Sequence, residues 1–123
     1  MDSQLEKEVL YELLCQLERY APDMKVSQAK VLLATAVWPG SKQAFIADRA
    51  GLTMSGMTRA YDVMSNRGRR DKTGQGDNAS NVKMGLLCKD PHPEDLRSWV
   101  MNLTMRGEKA IEDLVAIIRK VKG

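Results

Sequence analysis

Three small groups of residues in this 123-residue chain carry side chains able to do chemistry at useful spacing. Ser55, Thr58 and Arg59, with Met54 and Gly56 between and beside them, occupy one short helical stretch. Hydroxyls bond phosphates or base edges, and a guanidinium can bond a guanine edge through two parallel N–H groups. Asp95 and Arg97 stand two apart inside KDPHPEDLRSWVMNLT (89–104), a carboxylate placed to hold a guanidinium. Arg67, Arg69, Arg70 and Lys72 crowd the start of RGRRDKTGQGDNASN (67–81). All three sets suit recognition of a polyanion rather than bond-making. Asp90, Glu94 and Asp95 form a carboxylate cluster, but on an exposed hairpin without the shielded cleft that general acid–base work needs. The sequence contains no nucleophile–base pair and no phosphate-binding glycine loop. Cys15 and Cys88 lie far apart, and His92 is the only histidine, so no metal or cofactor is expected and the pattern speaks against an enzyme.

The charge distribution agrees. The net charge is only +3, but residues 1–24 sum to −4, residues 25–83 to +6 and residues 84–123 to +1. A basic middle marks one face for a polyanion, although basic stretches also serve as solvated surface. The length suits a single domain, and aromatics are scarce, so the core must rest on Leu, Val, Ile, Ala and Met. No signal peptide and no long apolar run are evident. The expectation is a cytoplasmic, nucleoid-associated protein with reduced thiols and no membrane.

The elements that must position these groups follow from periodicity and caps. Ser3-Gln4-Leu5-Glu6 has capping-box spacing, and Leu5, Val9, Leu10, Leu13, Leu14, Leu17 and Tyr20 form an apolar stripe on a first helix ending at Ala21-Pro22-Asp23. Ser27 is placed to cap a second helix, Gln28 to Trp38, stopped by Pro39-Gly40. Ser41 is placed to cap a short third helix, Lys42 to Ala50, and Thr53 a fourth, running to about Arg67. On that fourth helix Met57, Ala60, Tyr61 and Met64 make one apolar face; Met54, Ser55, Gly56, Thr58, Arg59 and Asp62 make the other. After the polar stretch, strands are expected at about Lys83–Lys89 and Ser98–Leu103, with Trp99, Met101 and Leu103 on the buried side. Thr104 caps a last helix, Met105 to about Lys122, whose stripe is Ile111, Leu114, Val115, Ile118 and Val121. The fold class is mainly α (α+β).

Two helices joined by a turn containing Gly51, with small Ala47 where the backbones approach, make a helix-turn-helix. The second of the pair can enter a major groove with its N-terminal residues toward base edges. The hairpin after it is then a two-stranded wing, its turn stiffened by Pro91 and Pro93. Its tip arginine, Arg97, is suited to the negative potential of a minor groove.

At these residues the chain resembles the MarR family of winged-helix transcription regulators. The match lies in IADRAGLTMSGMTRAYDVM and GLLCKDPHPEDLRSWVMNLTMRGE, and in the order of elements. The most specific piece is the wing: Asp95-Leu96-Arg97, then an apolar strand ending Leu103-Thr104-Met105-Arg106-Gly107. The resemblance spans roughly residues 27–123 and implies one winged-helix domain over 1–123, with the DNA-binding part at 27–103. It further implies a homodimer through helices at 1–22 and 105–123, with Leu5, Val9, Leu13, Leu17, Ile111, Leu114 and Ile118 as interface residues. The implied partner is a pseudo-palindromic duplex, read by Met54, Ser55, Gly56, Thr58 and Arg59 and by the wing tip, Asp95 and Arg97. The implied activity is transcriptional regulation in a bacterium or phage, by repression through occlusion.

The chain departs from the family in two places. Leu96 replaces a second basic residue common beside the wing-tip arginine, and a polar insertion, 67–82, precedes the wing. The basic residues of the insertion (Arg69, Arg70 and Lys72 among them) suit either a phosphate-binding arm or a solvated loop, and the insertion also suits docking of a protein partner. Some family members bind small aromatic effectors or sense peroxide through an N-terminal cysteine. No residue here identifies such a pocket, and Cys15 reads as an inert packed thiol. Two alternatives to a regulator remain: a DNA-binding partition or architectural protein of a plasmid or phage, and a winged-helix adaptor that grips another protein.

Overall fold

The computed structural model describes residues 3–65 and 84–122. In chain order these form α1 (Gln4–Tyr20), α2 (Val26–Val37), β1 (Ser41–Lys42), α3 (Gln43–Ala50), α4 (Met54–Met64), β2 (Leu87–His92), β3 (Asp95–Leu103) and α5 (Met105–Lys122). The basic cluster Arg67, Arg69, Arg70 and Lys72 lies outside the described residues.

The core is built as the apolar periodicities require. Val31, Leu32 and Thr35 of α2, Ile46, Ala47 and Ala50 of α3, and Met57, Ala60 and Met64 of α4 are buried together. Leu87 and Met101 close the cluster from the sheet, Leu86 from the segment just before it, and Ala110 from α5. Thr35 is a fully buried polar residue of this core, and its hydroxyl donates to the Val31 carbonyl at 2.8 Å, so that donor is satisfied. Beside this core, α1 packs against α5. Val9 and Leu114 are buried there, the Tyr20 hydroxyl donates to Asp113 at 2.6 Å, and Lys120 meets Glu12 at 2.8 Å.

The sheet has three antiparallel strands in the order β1-β3-β2. The wing hairpin, β2 and β3, is two-stranded as expected; β1 is an additional strand that sequence did not suggest. Ser41 and Lys42 pair with Met101 and Val100, so Ser41 is not a helix cap. Its hydroxyl instead donates to the Trp38 carbonyl at 2.8 Å, and Lys42 occupies the N-cap of α3. A two-residue strand is too short to show any alternation, which is why it was illegible.

Other boundaries shift for similar local reasons. Helix α2 starts at Val26 with Lys25 at the N-cap, not Ser27, because the Gln28 side chain accepts from the Lys25 N–H at 2.8 Å. Ser3 precedes α1 but makes no side-chain cap bond. Helix α4 stops at Met64 rather than near Arg67, because Ser65 turns extended and bridges in parallel to Leu87. The strands are also displaced, with β2 starting at Leu87 and β3 reaching back to Asp95. Trp99 shares a face with buried Met101 but lies beyond the reach of the core: it is 55% exposed, while Val100 is buried on the opposite face of the strand.

Gly51 ends α3 in the left-handed region at φ +74°, where a side chain would be strained, and its N–H closes the helix onto Ala47 and Asp48. This sets the entry of α4.

Candidate nucleic-acid interface

Helix α4 divides as its sequence says it should. Met57, Ala60 and Met64 are buried and Tyr61 is half-buried; Met54, Ser55, Thr58 and Arg59 are exposed. The Thr53 hydroxyl caps the helix, accepting from the Gly56 N–H at 3.0 Å. A Cβ on Gly56 would stand 3.2 Å from that hydroxyl, so the glycine keeps the cap tight as well as leaving the helix entrance bare. No carboxylate lies in the first turn of α4. The positive end of the helix dipole is therefore unopposed beside the exposed hydroxyls.

Thr58 is held by two neighbours. Its hydroxyl donates to the Met54 carbonyl at 3.0 Å and accepts from the Gln43 amide at 3.4 Å. Gln43, the first residue of α3, thus borders the exposed polar face of α4. Nothing in its sequence context marked it, since the contact joins two helices fifteen residues apart.

The wing tip is ordered by its own backbone. The Asp95 carboxylate accepts from the Arg97 N–H at 3.1 Å and from the Ser98 hydroxyl at 3.0 Å. These bonds hold its carboxyl below the usual range, with Lys42 and His92 adding smaller attractions. The expected grip of Asp95 on the guanidinium is a minor part of this: Arg97 Nε stands 3.8 Å from Asp95, and the Arg97 side chain is 94% exposed. Asp95 therefore shapes the turn and leaves the arginine outward. His92 completes the turn, its Nδ1 accepting from the Glu94 N–H at 3.0 Å. A register shift between Pro91 and His92 bends the strand at this point.

Wing and helix are joined by Lys89. Its ammonium lies 4.4 Å above the Tyr61 ring of α4. Burial lowers the Lys89 pKa, and the nearby Asp62 opposes that shift. Arg59 and Arg97 are thus presented by two elements that this cation–π contact helps to tie together. Among the described residues no cluster of His, Cys, Asp or Glu is arranged to hold a metal. No described helix is long and apolar enough to cross a membrane.

No family model matches the chain, and no curated protein matches it by sequence. Solved structures do match. RV1404 from Mycobacterium tuberculosis superposes with a TM-score of 0.66 at 16% identity, over 94% of this chain and 67% of that one. A MarR-like transcriptional regulator from Thermotoga maritima gives 0.59 at 21% identity, over 98% and 81%. The MarR family transcription regulator SP03579 gives 0.53 at 21%, over 92% and 65%. The chain has the MarR-type winged-helix fold. At these identities the likeness is one of architecture. Within it α3, the Gly51 turn and α4 are the helix-turn-helix pair, β2 and β3 the hairpin that follows, and α1 packs against α5.

The residues assigned to pairing of two copies fall into two groups. Val9 and Leu114 are buried within the protomer, and Leu13, Leu17 and Ile111 are half-buried. Leu5 and Ile118 are exposed, together with Leu10 and Leu14, which the sequence did not separate from the rest of the stripe, and Tyr11, which lies outside that stripe. A helix with apolar residues on more than one face gives no sign of which face its own chain covers.

Proposed function

We propose that this protein is a sequence-specific double-stranded DNA-binding transcription regulator, a repressor that binds a pseudo-palindromic operator as a homodimer. Helix α4 enters the major groove, with Met54, Ser55, Gly56, Thr58 and Arg59 toward the bases, and the wing tip with Asp95 and Arg97 reaches the adjacent minor groove. The observation that carries this reading is the polar face of α4. It is exposed, free of carboxylates in its first turn, and tied through Lys89 to a wing whose arginine points into solvent. The MarR-like fold supports the same reading. Lys and Arg on phosphates supply affinity, while base-edge contacts from α4 supply discrimination. The single domain over 1–123, its paired terminal helices and a nucleoid location belong to the same proposal.

The test is selection of sheared DNA from the source genome on purified protein, sequenced beside an Arg97→Ala control. One or a few palindromes near promoters, lost in the control, are expected. Clustered direct repeats would mean a partition protein instead. No enrichment at low salt would remove DNA binding altogether and direct attention to a protein partner.

A further inference from the structure

The wing carries a large side chain that the reading above does not use. Trp99 is 55% exposed in the middle of β3, and strand register fixes which way it faces. Met101 pairs with Lys89 and Trp99 with Pro91, so Trp99, Met101, Lys89 and Pro91 share one face of the hairpin. Met101 is fully buried on that face, and the Lys89 ammonium reaches Tyr61 of α4 from it. Arg97 lies two residues further toward the tip on the same strand, where the Asp95 carboxylate folds the chain by accepting from the Arg97 N–H and the Ser98 hydroxyl. Trp99 therefore stands on the side of the wing that looks toward the recognition helix. It lies between the cation anchored on α4 and the exposed tip arginine.

We propose that Trp99 is a third DNA-contacting element, laid against the sugar–phosphate strand that separates the groove filled by α4 from the groove entered by Arg97. This rests on the DNA-binding reading above and adds a contact to it. An indole has an apolar face suited to deoxyribose and one N–H able to donate to a phosphate. Lys89 and Arg97 flanking it along the hairpin, and the Lys89–Tyr61 tie from this face to α4, favour a duplex over an acidic or apolar protein surface. The contact is made to backbone, so it adds affinity without reading sequence.

The chain's other tryptophan makes a direct test possible. Trp38 packs edge-on against Phe45 at 5.8 Å, with Arg49 over both rings. Fluorescence of wild type, Trp38→Phe and Trp99→Phe is followed during titration with a short mixed-sequence duplex at low ionic strength. Wild type and Trp38→Phe should respond, and Trp99→Phe should not. Trp99→Ala should bind about fivefold or more weakly, with Trp99→Phe recovering most of the loss. The salt dependence supplies an independent check. Removing neutral Trp99 should leave the slope of log K against log salt unchanged, whereas Arg97→Ala should reduce it by about one.

A folded Trp99→Ala variant that binds like wild type, or a response carried by Trp38, overturns the proposal. If Trp99→Ala does not fold, the two phenylalanine variants still decide. If wild type binds no duplex by mobility shift, the DNA-binding reading fails first, and Trp99 is left for a protein surface.

Discussion

Gly107 sits where α5 leaves β3, and the molecule leaves no room there for any other residue. A Cβ at this position would collide with the Leu86 carbonyl oxygen, which is backbone and cannot swing away. That carbonyl is already committed, accepting from the Thr104 N–H at 3.1 Å. The Thr104 hydroxyl accepts from the Gly107 N–H at 2.9 Å and donates to the Gly85 carbonyl at 2.6 Å. The Leu-Thr-x-x-Gly sequence is thus a clamp between the last strand and the segment entering the wing. Gly107→Ala should destabilise the fold by about 2–3 kcal/mol, as forced overpacking does, seen as a lower urea midpoint with unchanged m-value. A second residue-scale expectation concerns Asp95. Its folded pKa lies below its unfolded value, so its stabilisation of the turn is present above the ordinary carboxylate range. It is lost as pH falls through the folded pKa. The Arg97 amide resonance should therefore titrate in acid in the wild type. In Asp95→Asn it should sit near its acid-limit position at every pH. An amide shift independent of pH in wild type would remove Asp95 from this role.

At the scale of elements, the interruption between α4 and the wing is held at both ends. Met84, Gly85 and Leu86 donate to the carbonyls of Val63, Ser65 and Met64 at 3.0, 3.0 and 2.9 Å, so the chain departs and returns side by side. Arg106 secures the returning end, its Nε donating to the Met84 carbonyl at 2.9 Å and its second nitrogen to the Tyr20 carbonyl at 2.7 Å. Replacing residues 66–83 by a short Gly-Ser linker should therefore leave the fold intact, with the thermal midpoint shifted by only a few degrees (about 1 kcal/mol or less, as loop length enters logarithmically). Loss of cooperative unfolding in that variant would show that these pinned ends do not suffice. If it stays folded, its DNA affinity separates a phosphate-binding arm at Arg69, Arg70 and Lys72 from a solvated loop. The same elements show what could be read in advance. The inner face of α4, the Thr53 and Thr104 caps, the glycine turn and the hairpin are local patterns of periodicity and cap chemistry, and they were legible. The strand Ser41–Lys42, the Gln43–Thr58 bond and the Arg106 clamp are contacts between distant segments with no local signature. By sequence Trp99 reads as inward, because alternation tells which residues share a face, not how far along the strand the core extends.

For the whole molecule the question is what covers the outer side of α1. Leu10, Tyr11 and Leu14 are 63%, 71% and 68% exposed, and Leu5 and Ile118, further along the stripes of Val9 and Leu114, are each 46% exposed. Their inward neighbours Val9 and Leu114 already join α1 to α5 within one protomer. A second copy would cover the outer set and bring two wings to one duplex. Two half-sites about 34–36 Å apart could then be held at once. The exposure of Leu14 makes this testable without unfolding the chain, since a polar substitution at an exposed site costs a single protomer little, within about 0.5 kcal/mol. Leu14→Glu should keep its helical signal and thermal transition but sediment as a 13.8 kDa monomer, while the wild type sediments at twice that mass. Its affinity for a full palindrome should fall about 10²-fold, the loss of an intramolecular second contact, while its affinity for an isolated half-site stays near the wild-type value. Leu114→Ala, by contrast, should lower the stability of the protomer itself, by roughly 2–5 kcal/mol for a buried leucine. A Leu14→Glu protein that remains dimeric would place the pairing surface elsewhere. A wild type that is monomeric at the concentrations where it binds DNA would leave one winged helix to do the recognition alone.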